Sequence, residues 1–196
     1  MIDIQKVAAE TVCKVLGGRS LGTVLDGPDP CLEGWARAAF LDATYGTLRH
    51  LGELRACLVQ LLRRPLQQRI VESLLLVALY QLRYTRTAPH AVVDHAVDCT
   101  ASIGAARMGG LVNAVLRNFL RDADGVVSRA RATPEGRFSY PSWWIEKLRL
   151  QYPAAWTGIL EAGNEHPPFT LRVRIGRMAV AHYVEWLQEE GIEAHQ

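Results

Sequence analysis

The sequence predicts a mainly α-helical protein: a helical bundle over residues 1–121, a linker at 122–139, and a small, incomplete α/β piece at 140–196. Three observations carry this. Apolar residues recur every three or four positions through most of the chain, the period of helices with one buried face. Glycine and proline clusters punctuate these runs at intervals that make helices of ordinary length. One short segment near the end, Phe169 to Arg174, alternates as a strand does. With 196 residues, 49% hydrophobic and 21% charged, the chain has an average globular composition and can bury a core without disulfides.

Ile4, Val7, Ala8, Thr11, Val12, Val15 and Leu16 fall on a helical period, and Gly17-Gly18 ends that first helix. Ser20 can cap a short turn ahead of the breaker run Asp26-Gly27-Pro28-Asp29-Pro30. Leu32 to Leu62 reads as two helices divided near His50 to Gly52, with Pro65 interrupting next. Gln67 to Tyr84 is apolar on nearly every side, which assigns it to the bundle centre. Pro89 opens a helix over His90 to Ser102, Gly104 breaks it, and Leu111 to Arg121 closes the bundle. Residues 122–139 mix Asp122, Asp124, Gly125, Ser128, Thr133, Pro134, Gly136 and Ser139 with Arg129, Arg131 and Arg137, the composition of a trypsin-sensitive linker. Tyr140-Pro141-Ser142 starts a new helix, Pro153 suits the first turn of another, and Pro167-Pro168 ends it. Met178 to Gln188 makes the final helix. Trp143, Trp144, Trp156 and Trp186 lie in amphipathic patterns, so most are expected in the core.

Charge is unevenly spread. Residues 37–121 hold eleven arginines against five acids, a balance of +6, between ends of −2 each. The chain has 19 arginines and three lysines, and the guanidinium fork grips phosphate in two places and stacks on bases. A polyanion-binding face in the middle of the chain is one reading; arginine used for general solubility is the other. No apolar run approaches the 18 or so residues of a membrane span, and no secretory signal opens the chain. Cys13, Cys31, Cys57 and Cys99 form no C-x-x-C pair, which fits a reducing cytoplasm.

Chemistry-bearing motifs are few. His90 and His95 stand about 140° apart on a helix and cannot share a metal. Gly104 to Leu111 imitates a phosphate loop but lacks Lys-Ser/Thr and lies between two helices. Asp94 and Asp98 share a face, as acids early in a helix do to complement its dipole. Asn113, Arg117 and Arg121 line one side of the last bundle helix, opposite Val112, Val115, Leu116 and Phe119. Two arginines and an amide suit RNA phosphates and base edges, although an ordinary solvated face has the same pattern. Arg63 and Arg64 before Pro65, with Arg69 and Arg107, can extend this basic surface.

The run Val71 to Tyr84, then Ala88-Pro89-His90-Ala91-Val92-Val93-Asp94-His95-Ala96-Val97-Asp98, then Gly110-Leu111-Val112-Asn113-Ala114-Val115-Leu116-Arg117, resembles the all-helical domain of the antitermination factor NusB. It is more similar still to the N-terminal domain of the RsmB (Sun/Fmu) ribosomal RNA cytosine methyltransferases. Tyr45-Gly46-Thr47-Leu48-Arg49, Leu61 to Leu66, Tyr140-Pro141-Ser142-Trp143 and Pro167 to Val173 fit that family, so the resemblance covers nearly the whole chain. Two departures stand out. Asp94-His95-Ala96 replaces the usual Asn-Glu-Ala, and Lys6 and Lys14 stand in a helix that is commonly arginine-rich.

The resemblance implies an RNA-binding N-terminal portion of an enzyme that methylates a 16S ribosomal RNA cytosine at carbon 5 with S-adenosylmethionine. Ribosomal RNA and the enzyme's own catalytic domain are the implied partners. The glycine-rich cofactor loop and paired cysteines of that chemistry have no counterpart here; Pro30-Cys31 echoes one dipeptide in the wrong context. This chain by itself is therefore expected to hold no cofactor and no methyltransferase activity. Two alternatives stay open: an antitermination factor, against which residues 122–196 argue, and a helical docking module that barely touches RNA.

Overall fold

The computed structural model describes residues 4–26, 32–165, 170–174 and 176–195. In order, its helices are α1 (Ile4–Leu16), α2 (Leu21–Leu25), α3 (Gly34–Arg49), α4 (Leu51–Leu61), α5 (Arg69–Tyr84), α6 (Pro89–Ser102) and α7 (Gly109–Arg121). α8 (Ala123–Ala130), α9 (Pro134–Phe138), α10 (Ser142–Gln151), α11 (Trp156–Asn164) and α12 (Val180–Glu189) follow. Two compact units divide the chain, Met1–Asn164 and Glu165–Gln196.

The most apolar segment is the axis of the first unit. Ser73 through Tyr80 are all buried, and α5 packs on α1, α3, α4, α6 and α7. Helix α1 is keyed to this axis by a buried amide: Gln5 Nε2 donates to Gln81 Oε1 at 2.6 Å and to the Val92 carbonyl at 3.1 Å. Helix α3 approaches α5 closely because Gly46 leaves room for the Tyr80 ring, with which any Cβ would collide. The Tyr80 hydroxyl then donates to Asp42 Oδ1 at 3.1 Å. Pro89 occupies the first turn of α6, and Gly104, at φ +73°, closes it in the left-handed region that glycine tolerates.

Residues 122–139 are not a bare linker. Val126, Val127 and Ala130 of α8 and Phe138 of α9 are buried, and both helices pack on α4. The polar residues that imitate a linker are the punctuation of short helices. Thr133 caps α9 by accepting from the Gly136 N–H at 3.1 Å, Pro134 takes the first turn, and Ser139 ends it at φ 58°. Behind them Phe138, Ile145, Leu148 and Leu160 form a small second core, against which Trp144 and Trp156 pack. Trp143 and Trp186 are exposed, so two of the four tryptophans pack on a core where most were expected to.

The second unit differs from expectation in its strand. Thr170 to Arg174 form no strand, and Phe169 lies outside the described residues. Alternation alone does not make a strand; its backbone needs a hydrogen-bonding partner, and none pairs with it among the described residues. Pro28, Pro30 and Cys31 also lie outside the described residues.

Candidate nucleic-acid interface

Helix α7 separates its two sides as its periodicity requires. Val112, Val115, Leu116 and Phe119 are buried, while Arg117 and Arg121 are exposed. Arg117 Nε donates to Asn113 Oδ1 at 2.8 Å, so these two side chains already form a unit on the surface. Arg121 follows one turn later, in the last turn, where a cation complements the helix dipole. Asn113 also borders a shallow hollow with Asp94 and Asp98 of α6. The stripe therefore has an acidic neighbour at one end.

The other expected residues are spread along the fold. Arg63 and Arg64 are exposed after α4 and edge a separate hollow with Leu62 and Glu72, where Arg55 Nε stands 3.4 Å from Glu72 Oε1. Arg69 opens α5, and Arg107 sits in the 3-10 turn before α7; both are exposed.

A larger feature escaped the sequence reading. A cleft of about 1280 Å³ lies in the first unit between α3, α4 and the α8–α9 segment, with Tyr45, Arg49, Arg55, Arg129 and Tyr140 among its lining. Its residues come from places more than 80 positions apart; Tyr45 and Arg49 share a face of α3, and Gly52, Arg55, Ala56 and Val59 share a face of α4. Those shared faces were the available signal.

The wall formed by α8 and α9 is fixed by a buried carboxylate. Glu53, with 3% of its side chain exposed, accepts from Tyr84 Oη at 2.7 Å and from Arg131 Nε at 2.5 Å, with Arg83 Nε at 3.6 Å. Its backbone N–H donates to Ser139 Oγ at 3.2 Å. Gln60 adds a second tie, donating to the Val126 carbonyl at 3.1 Å and accepting from Arg129 Nε at 2.8 Å. Gly52 completes the contact: a Cβ there would collide with the Glu135 carbonyl.

Burial, and then the bond to Glu53, pushes the Tyr84 phenol far up, so it remains a donor. Its ring stacks on His50 with centroids 4.0 Å apart, and burial lowers the His50 pKa. Burial also raises the Cys57 thiol to about 11, which keeps it protonated and poorly nucleophilic at neutral pH. Among the described residues no group of three His, Cys, Asp or Glu is placed to hold a metal ion, and no helix is long and apolar enough to cross a membrane.

Comparison with known proteins adds the lineage. Residues 3–121 match the model of the NusB family, and residues 140–196 match that of the RsmF/B-like methyltransferase ferredoxin-like domain. The chain is similar to the ribosomal RNA small subunit methyltransferase B of Yersinia enterocolitica, at 37% identity over 195 residues. It is 35% identical to the proteins of the same name from Serratia proteamaculans and Yersinia pestis bv. Antiqua. Each match covers 98% of this chain and 45% of the relative, so the chain spans about half the length of these proteins.

Proposed function

The chain belongs to the NusB family, and from that premise we propose that it is the RNA-binding portion of an S-adenosylmethionine-dependent 16S ribosomal RNA (cytosine-5)-methyltransferase. Its role is to position ribosomal RNA, in the cytoplasm, for a catalytic domain lying in the half of the relatives' length that it does not match. The observation that carries this reading is the α7 surface. Asn113 and Arg117 are joined by a hydrogen bond on the solvent side of a helix whose other side is locked in the core. This pre-paired amide and guanidinium present a base edge and a phosphate with donors already side by side. Arg121, Arg107, Arg63, Arg64 and Arg69 add positive charge that draws RNA to the bundle.

The residues present do not fit the cofactor. The glycine-rich run from Gly104 to Leu111 joins α6 to α7, with Gly104 serving as a helix stop and Gly109 and Gly110 as the start of the next helix. A strand–loop–helix cradle is what such a ligand needs. In this reading the cofactor is held elsewhere in the enzyme.

A second reading, docking of the bundle on its own catalytic domain with little RNA contact, draws support from Asp94 and Asp98 beside Asn113, since carboxylates repel phosphate. A binding titration with a small-subunit ribosomal RNA transcript separates the two. Salt-dependent binding that weakens in Arg117→Ala/Arg121→Ala supports the RNA reading; no binding to the transcript supports docking.

A further inference from the structure

We propose that the cleft between α3, α4 and the α8–α9 segment is a second RNA site, which takes a single-stranded stretch by stacking bases on Tyr45 and Tyr140 and holding phosphates with Arg49, Arg55 and Arg129. The inference rests on the RNA-binding reading above, but it names a different surface from α7 and a particular form of the ligand.

The outward face of α3 leads into the cleft. Trp35, Ala38, Asp42, Tyr45 and Arg49 fall within an arc of about 80° at 3.6 residues per turn. Trp35 is 77% exposed and Tyr45 47% exposed, an unusual pair of bare aromatics for one helix face. Val59 of α4, 75% exposed, adds an apolar patch inside the same cleft. Aromatic rings and aliphatic patches open to water give unstacked bases a place to lie, and arginines beside them meet the backbone between bases. A duplex keeps its base faces stacked on one another and cannot use such rings.

The charges agree with this occupant. Three arginines and one carboxylate line the cleft. That carboxylate, Glu135, already accepts from the Ser142 N–H at 2.9 Å and hydroxyl at 2.6 Å. Arg49 forms no ion pair with a described residue. Arg129 pairs with Asp122 in an exposed ion pair that a phosphate competes with readily, and Arg55 pairs with the half-buried Glu72 through a side chain that is itself exposed. On the opposite side Tyr140 is half-buried against the small second core, its hydroxyl seated where Gly163 lacks a Cβ, and its remaining surface lines the cleft. The volume of about 1280 Å³ exceeds the 300–1,000 Å³ or so of small-ligand sites, leaving space for more than one nucleotide.

The test uses a ten-residue oligouridine carrying one 4-thiouridine, photocrosslinked to the unmodified chain and mapped by tryptic digestion. Cleavage after Arg37 and Arg49 isolates the peptide 38–49, which contains Tyr45. Expected are crosslinks in that peptide, tighter binding of the oligouridine than of a hairpin of equal length, and affinity about tenfold weaker in Tyr45→Ala/Arg49→Gln, the loss of about one stacked base. Crosslinks confined to peptides that carry no residue of the cleft overturn the proposal. So does unchanged affinity in that variant while Arg117→Ala/Arg121→Ala weakens binding, a result that keeps the RNA reading and leaves the cleft to a polypeptide. No RNA binding by the unmodified chain removes both readings.

Discussion

Replacing Arg131 by alanine removes the bond that ties the α8–α9 segment to the buried carboxylate of α4. The lost interaction is a hydrogen bond to a charged acceptor, Arg131 Nε to Glu53 Oε2 at 2.5 Å. Such bonds contribute about 1.5–3 kcal/mol. Glu53 is 3% exposed, but the Arg131 side chain is half exposed, so solvent screens its share and the lower end applies. We expect a destabilisation of about 1.5 kcal/mol. Glu53→Gln goes further. Tyr84 can still donate to the amide oxygen, but Arg83 and Arg131 then face no countercharge, and we expect a loss of about 2–3 kcal/mol. Arg129→Ala is the comparison, because its ion pair with Asp122 and its hydrogen bond to Gln60 are both exposed, and their loss lies within about 1 kcal/mol. Urea titration followed by circular dichroism reads all three, with an unchanged slope confirming that the same unit unfolds. If Arg131→Ala and Glu53→Gln both cost under about 0.5 kcal/mol, the carboxylate is not a clamp and the reasoning fails.

Three further outcomes follow from the same geometry. On the α7 surface, Arg117→Ala/Arg121→Ala should lower the slope of log affinity against log salt by about 1.4, at about 0.7 per lost single-strand phosphate contact; an unchanged slope in the folded variant removes α7 from the interface. Burial lowers the folded-state pKa of His50 below its unfolded value of 6.5, so its contribution to stability is present above pH 6.5 and is lost as pH falls through the folded pKa. His50→Phe, which keeps a ring against Tyr84, should therefore lose less stability than the unmodified chain between pH 7.5 and 5.5, and equal losses by urea titration would count against a buried neutral imidazole. In limited trypsinolysis, cleavage after Arg172, Arg174 or Arg177, which are exposed and outside any helix, should precede cleavage after Arg129, Arg131 or Arg137; mass mapping that found the reverse order would show α8 and α9 detached from α4.

The bundle was legible because its signals are local. Helices α1, α3 to α7 and their breaks at His50, Pro65 and Gly104 follow from periodicity and punctuation within windows of about fifteen residues. The α7 stripe was legible for the same reason: burying Val112, Val115, Leu116 and Phe119 leaves Asn113, Arg117 and Arg121 on the other side. The helices at 122–139 were not. Each is short, with a narrow apolar stripe, so neither stands without α4 to cover it. Composition weighed their caps and exposed arginines and missed the four apolar residues that decide the matter. Trp143 and Trp186 erred in the opposite direction, because amphipathic spacing shows that a helix has an apolar side but not that another element covers it.

Glu53 shows why the cleft could not be read ahead of the fold. In sequence it is one acid early in a helix, where acids usually serve the dipole. In space it receives Tyr84 from 31 positions away and Arg131 from 78. Neither pairing leaves a periodic trace. The consequence reaches the cleft, because Arg129, Thr133, Glu135 and Ser139 line it and stand on the segment that Arg131 anchors. Its wall is therefore set by one buried carboxylate and by Gly52, whose missing side chain lets α9 close on α4. A change at Glu53 acts on the cleft without altering any residue that lines it, and variants there should alter binding and stability together, whereas Tyr45→Ala should alter binding alone.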